Sequence, residues 1–485
     1  MVRSLLFSSI TFLYYFLPAV LVIYYLAPAK VKNLILFLAS FVFYLWGEPK
    51  YSVLLLFSVT AGYMGGRCIE YQRQKKCVSA ADPADRSGKY KGGHDRLVVG
   101  IFTAMTLGLL VFFKYMDFLA DSVNRILGTH VPMVQIALPV GISFYTFQIM
   151  AYVIDVYRGR IPAEQSLLRL GTYLTMFPQL ISGPITNYAD VRVALGRERT
   201  IKARQLEEGM KLLIIGLAAK VVIADRIGTL WNSIRMIGFD SISTKLAWMG
   251  AFAYSLQLYF DFAGYSMMAR GIGKMLGFEL PVNFRYPYIS KSVTEFWRRW
   301  HITLGRWFRE YVYIPLGGNR KGKARTFFNL FVVWSLTALW HGANYNFLIW
   351  GGILLCCLLV EKLFLLRLLD KSRVIGHLYV LFVVPLSWVA FAVTDLSELG
   401  VYMTRLFPFA GHAAGVINHL DYLKYLNDYA PLFLLGVLFA TPLPETCYRL
   451  IERKWIGRVI LLGIFGLCMY YLAVSANNPF LYFNF

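Results

Sequence analysis

Charge is scarce in this chain. Of 485 residues, 16% are charged and 58% are hydrophobic, whereas a soluble domain carries roughly a quarter charged residues. That shortage excludes a chain that is soluble along its length. Acidic residues are scarcer than basic ones, 27 against 49, which leaves a net charge of +22. Beside long apolar runs, such an excess marks loops on the cytoplasmic side and argues against nucleic-acid binding. Cysteine is sparse too, with six residues at positions 68, 77, 356, 357, 447 and 468. Their spacing fits neither a zinc site nor a disulfide framework, so no metal ligand set is expected. No small-residue cleavage site follows the first apolar run, Leu5–Ala27, and only Arg3 precedes it. That run reads as a retained span rather than a signal peptide. No internal repeat is visible, which counts against a secondary transporter.

Long apolar runs are what the chain has instead: Leu5–Ala27, Leu97–Phe113, Leu246–Phe262, Val374–Val393 and Val459–Val474 among others. A helix needs about 20 mostly apolar residues to span the hydrocarbon. The basic stretch 67–96 holds eight Lys and Arg and is expected to be a cytoplasmic loop. Segments 158–169, 192–211, 285–325, 362–373 and 449–458 are also basic. Residues 114–133 and 395–430 are mixed or nearly neutral, so they are expected outside, 395–430 as an extracytoplasmic loop. Alternation between these anchors predicts about 11–12 transmembrane helices in one domain over residues 1–485, with both termini outside. It works only if 168–188, with Pro178, Gly183 and Pro184, dips in and returns as a broken element buried in protein. Residues 281–325 are likewise too polar to span simply and predict horizontal or re-entrant helices.

One stretch in that region, EFWRRWHITLGRW at 295–307, sets arginines and a histidine among tryptophans. On a wheel of 100° per residue, Phe296, Trp297, Trp300, Leu304, Trp307, Phe308 and Tyr311 share one arc. Arg298, Arg299, Arg306 and Arg309 share the opposite one. The pattern predicts one amphipathic helix over 296–311, with its aromatic arc in the bilayer interface. His301 falls at the edge of that arc, near Phe308, where apolar surroundings favour the neutral imidazole. An interfacial anchor is the plainer use of such a helix.

A second histidine lies in SLTALWHGANYNFLIWGG, 335–352. His341 ends an apolar run, and an ionisable residue at membrane depth is a functional candidate by default. Gly342, directly after it, is expected to leave room for a substrate or a neighbouring backbone. Other polar residues inside apolar runs are Gln148, Asp155, Lys220, Asp225 and Asp261. Asn283 and Arg285 flank Phe284. Each also has a structural use, holding helices together by hydrogen bonds. Ser335 and Thr337 precede His341, but a hydroxyl on a buried helix more often bonds its own backbone, so no nucleophile is assigned there.

These residues carry a resemblance. FWRRWHITLGRWFREYVYIPLGGNR (296–320) together with WHGAN (340–344) resembles the membrane-bound O-acyltransferase (MBOAT) family, in the bacterial branch that modifies alginate and teichoic acids. GISFYTFQ (141–148), FPQLISGPI (177–185), YFDFAGYSMMARGIGKMLGF (259–278), LPVNFRYPY (280–288) and NPFLYFNF (478–485) extend it over nearly the whole chain. Where the family pattern has an acidic residue after GYS this chain has Met267, and Ala263 replaces a usual serine. The resemblance implies an all-α polytopic membrane fold with re-entrant helices around a tunnel. It implies a catalytic role for His341 and a second active-site position at His301.

The implied activity is transfer of an acetyl or short acyl group from a cytosolic thioester to a hydroxyl. Acetyl-CoA is the expected donor substrate, and no resident cofactor or metal is expected. The acceptor is outside, on or through an SGNH-hydrolase-like partner, for O-acetylation of an exopolysaccharide or cell-wall polymer. The expected location is the bacterial cytoplasmic (inner) membrane. Such chemistry needs a base, oxyanion stabilisation and exclusion of water. His341 is expected to be the base and His301 to orient or polarise the acyl carbonyl, with the two roles swapped as the alternative the sequence leaves open. Trp297, Arg298, Arg299, Trp300, Arg306, Asn283, Gln148, Asp261 and Trp340 are the expected substrate- or donor-binding residues, the arginines for donor phosphates. D-alanyl or other acyl transfer from an acylated carrier protein is the alternative. An export channel of a polysaccharide machine and a scaffold are the alternatives of another class.

Overall fold

The computed structural model describes residues 6–79, 93–410, 417–474 and 481. Among them every regular element is helical. Hydrocarbon dictates this, since it offers backbone groups no partner and a helix pairs them within the segment. Six helices are long and apolar enough to cross a membrane: Ala29–Gly47, Ser52–Lys75, His94–Leu127, Tyr345–Leu369, Arg373–Ala392 and Trp455–Val474. A bent pair, Asp421–Phe439 with Leu443–Arg449, raises the number to seven if it is one span. The chain is therefore an all-α polytopic membrane protein. Other crossings expected from the sequence fall on shorter or more polar helices. Phe12–Leu26 and Ile142–Arg158 are short, and Thr244–Met275 carries Asp261, Arg270 and Lys274.

The chain divides into two compact units, Met1–Met210 with Ala269–Pro281, and Lys211–Met268 with Val282–Phe485. In the first, residues 168–188 form a broken element: helices Leu167–Thr175 and Phe177–Leu180, then a turn into Tyr188–Gly196. All of 170–188 is buried. At Gly183 a Cβ would sit 2.4 Å from the Pro178 carbonyl oxygen, so only glycine lets the chain fold back here. The basic stretch 67–96 is helical at both ends, within Ser52–Ser79 and Gly93–Leu127, and 80–92 lie outside the described residues. Residues 395–430 are not loop throughout: Leu396–Leu406 is a helix and Asp421–Phe439 begins within the stretch.

In the second unit, Lys220 and Asp225 lie across a π-helical turn, Ala219–Ala224. The i→i+5 spacing of that turn brings their side chains together. The Lys220 ammonium contacts Asp225 at 2.6 Å and Asp261 of the Thr244–Met275 helix at 2.6 Å. This buried triad joins two helices, as its place in apolar runs suggested.

Candidate active site

The stretch that opens the site is not one helix. Val293–Arg299 and Ile302–Phe308 are separate helices, and between them His301 takes a left-handed backbone with φ 43°. A wheel drawn through 296–311 therefore fails at 301. A non-glycine residue at positive φ is uncommon and persists only where the surroundings hold it. Here two backbone hydrogen bonds do so. Arg285 N–H donates to the Arg299 carbonyl at 3.0 Å, and Ile302 N–H donates to the Asn283 carbonyl at 3.0 Å. The Asn283–Arg285 segment thus clamps the chain on both sides of His301.

The aromatic arc also packs differently from expectation. Phe296, Trp300, Leu304, Trp307 and Phe308 are buried in protein rather than presented to lipid. Trp300 lies 4.9 Å from Trp388, and Trp297 lies 5.0 Å from Trp334 and 5.7 Å from Trp350, ring centre to ring centre. Edge-to-face geometry recurs through this cluster, as the ring quadrupoles prefer. Tryptophans 297 and 350 keep buried indole N–H groups without a hydrogen-bond partner.

His301 is 2% exposed. Its ring meets Phe262 edge-on at 4.8 Å and Trp340 at 5.9 Å. Its Nδ1 lies 3.1 Å from Asn283 Oδ1, which also receives the Thr303 N–H at 3.2 Å and the Thr303 hydroxyl at 3.0 Å. A backbone N–H can only donate, so the Asn283 atom at this junction is its carbonyl oxygen. Nδ1 must then carry the hydrogen, and Nε2 keeps its lone pair. Nε2 is buried and has no hydrogen-bond partner. Burial holds the imidazole below its usual range, in the neutral form. A neutral ring with a lone pair at Nε2 cannot polarise a carbonyl through that atom. It receives a hydrogen bond, as from a hydroxyl.

His341 is the last residue of the Gly322–His341 helix and is 6% exposed. Trp340, Trp350 and Phe391 surround its ring at 5.0, 4.9 and 5.3 Å, all nearly perpendicular. Trp340 touches both histidines, so two residues forty apart in sequence meet around one indole ring. The expected room at Gly342 is not there. A Cβ at Gly342 would stand 2.0 Å from Phe347 Cε2, so the glycine admits the Phe347 ring. The tight turn back into the Tyr345–Val360 helix depends on it. The Thr337 hydroxyl bonds the Val333 carbonyl at 2.8 Å, the self-bonding expected of it.

The other expected residues divide. Asn283 and Trp340 both contact His301, Asn283 as the group that orients its ring. Trp297 and Trp300 lie in the cluster beside it. Arg298 is exposed, Arg299 pairs with Glu295 at 2.8 Å, and Arg306 is half-buried. Asp261 is engaged within the protein: besides Lys220 it accepts the Leu481 N–H at 2.9 Å. Gln148 belongs to the first unit, fully buried, its side-chain amide without a hydrogen-bond partner. Sequence reasoning passed over Phe262, Trp350 and Phe391, aromatic residues with no local mark in an aromatic-rich chain. It also passed over Glu361, an acid inside an apolar span, which is the signal applied to Asp261.

Residues 160–396 match the family described as MBOAT, membrane-bound O-acyltransferase. The chain is 34% identical to the probable alginate O-acetylase AlgI of Pseudomonas putida, over 99% of this chain and 100% of that one. It is 30% identical to the peptidoglycan O-acetyltransferase of Helicobacter pylori, over 99% and 98% of the two. It is 32% identical to the teichoic acid D-alanyltransferase of Bacillus subtilis, over 45% of this chain and 58% of that one.

Proposed function

The chain belongs to the membrane-bound O-acyltransferase family and is a multi-pass O-acyltransferase; we propose that it moves an acetyl group from a cytosolic thioester, acetyl-CoA, to a hydroxyl outside the bacterial cytoplasmic membrane. The recipient is a polysaccharide or cell-wall polymer, reached through an SGNH-hydrolase-like partner. One observation supports the site: two buried histidines share the Trp340 ring among buried aromatic side chains. Exclusion of water protects a thioester and strengthens each hydrogen bond within.

The roles follow from the protonation pattern. His301 Nε2 accepts a hydrogen bond from a second hydroxyl of the acceptor, next to the reacting one, and so fixes its approach, leaving the reacting proton to His341. His341 is the base that removes the hydroxyl proton as the oxygen attacks the thioester carbonyl. The indole N–H groups of Trp297 and Trp350, buried without a hydrogen-bond partner in the same aromatic cluster, are assigned to the developing oxyanion. Collapse expels the thiolate and leaves an ester. The exposed arginines Arg298 and Arg309 draw the phosphates of the donor. An acyl group delivered by an acidic carrier protein is the second reading, suggested by the likeness to the D-alanyltransferase.

The test uses purified protein in nanodiscs with radiolabelled acetyl-CoA. Thioester loss and label transfer are followed in wild type, His341→Ala and His301→Gln. Turnover in wild type that vanishes in folded His341→Ala supports the reading. Equal turnover in both removes His341 from the mechanism and makes His301 the base. Wild type that is inert with acetyl-CoA but active with an acylated carrier replaces the donor.

A further inference from the structure

The Tyr345–Leu369 span contains one acidic residue, Glu361. It is 1% exposed. Among the described residues no lysine or arginine forms a salt bridge with it. A carboxylate so placed is costly unless hydrogen bonds replace its water. They do, and all that are measured come from one place. Oε1 accepts the Val293 N–H at 2.5 Å. Oε2 accepts the Thr294 N–H at 2.9 Å and the Thr294 hydroxyl at 2.6 Å. These are the first two residues of the Val293–Arg299 helix, which ends at the His301 break.

The rest of that helix is rigid enough to pass the anchor on. The Ser292 hydroxyl oxygen accepts the Glu295 N–H at 3.0 Å, and Glu295 Oε2 accepts the Lys291 N–H at 2.9 Å. The Glu295 carboxylate then braces Arg299 at 2.8 Å. Trp300 N–H closes the last turn on the Phe296 carbonyl at 2.8 Å. The span that carries Glu361 also carries Trp350, whose ring lies 4.9 Å from that of His341. Eleven residues of helix separate the two, about 16 Å at 1.5 Å per residue. Glu361 also begins a π-helical turn, Glu361–Leu365, a local widening that recurs at functional sites. One transmembrane helix thus touches His341 with one side chain and holds the start of the Val293–Arg299 helix with another.

We propose that Glu361 is a positioning residue for the acyl-transfer site: it sets the depth and angle of the Val293–Arg299 helix, and so the position of His301 relative to His341. It touches no reacting atom. The inference rests on the acyltransferase reading for its kinetic readout only.

The experiment compares full-length wild type, Glu361→Gln and Glu361→Ala in nanodiscs by two measurements. The first is acetyl-CoA turnover, read as kcat and KM separately. The second is hydrogen exchange of peptides covering 293–302, 245–262 and 374–392. Glu361→Gln keeps the shape and one acceptor oxygen. It is expected to lower kcat roughly tenfold with donor KM within about twofold, and Glu361→Ala to lower kcat about a hundredfold, since small misplacements of a catalytic group have that effect. Exchange is expected to quicken at 293–302 in both variants and to stay unchanged in the other two segments. If Glu361→Ala fails to fold, Glu361→Gln decides alone. Wild-type kcat in Glu361→Gln with unchanged exchange at 293–302 overturns the proposal, as does faster exchange spread evenly over all three segments. Wild type inert with every acyl thioester overturns the acyltransfer reading, while the exchange pattern still decides whether Glu361 holds the helix.

Discussion

Asn283 is the place to break the site with the least collateral damage. Its Oδ1 collects three donors, His301 Nδ1 and the N–H and hydroxyl of Thr303, at 3.1, 3.2 and 3.0 Å. Asn283→Ala strands all three in a buried place. Each stranded donor costs about 1–3 kcal/mol. The Thr303 hydroxyl can turn away and water can enter the vacated volume, so the net loss of stability is about 2–4 kcal/mol. The effect on rate is separate. Without the acceptor, His301 no longer prefers the hydrogen on Nδ1, and a bond worth about 1.5–3 kcal/mol in that setting corresponds to roughly a ten- to hundredfold fall in kcat. Asn283→Asp supplies the control. It keeps the acceptor and the shape but adds a negative charge beside the ring. That charge favours the imidazolium and raises the His301 pKa. His301 must be neutral to receive a hydrogen bond at Nε2, so activity is lost as pH falls through the raised pKa. Wild type, whose imidazole burial keeps neutral, stays active there. The assay is thioester loss from acetyl-CoA in nanodiscs between about pH 5 and 8, with thermal unfolding followed in parallel. Asn283→Ala with wild-type kcat, or Asn283→Asp with an unshifted acid limb, refutes the tautomer argument.

Two stability predictions follow from the packing. Gly342→Ala drives a methyl into Phe347, 2.0 Å from its Cε2. It is expected to cost about 1–3 kcal/mol as overpacking and to be partly rescued by Phe347→Leu; an unchanged melting temperature in nanodiscs would show the turn has room to yield. Lys220→Met leaves Asp225 and Asp261 buried without their cation, at about 3–5 kcal/mol. The expected outcome is little folded protein in a fluorescence size-exclusion profile, whereas Asp261→Asn, which keeps a hydrogen-bond partner for the ammonium, loses less. A Lys220→Met profile like wild type's would mean that the triad does not hold the helices.

How much of this was legible depended on the range of the interaction. A helical answer and several crossings follow from composition and apolar run length, because lipid forces each backbone group to pair within its own segment. The buried break at 168–188 was legible for the same kind of reason, since Pro178, Gly183 and Pro184 act on the chain within a few residues of themselves. The pairing of Lys220 with Asp225 was visible as two charges five apart. Periodicity misled at 296–311, because a wheel records side-chain character and cannot register one residue, His301, whose backbone turns to positive φ. What turns it is Asn283–Arg285, and what orients its ring is Asn283, eighteen residues upstream. Glu361 lies 68 residues from the Val293 N–H that it accepts, and Gly342 answers to a ring five residues ahead across a turn. The sequence by itself determined the medium, the helices and which side chains could do chemistry, since those depend on local solvation and spacing. Only the tertiary structure decided which nitrogen of His301 is free, which ring fills Gly342 and which carboxylate anchors the helix, since each depends on groups that meet after the chain has folded.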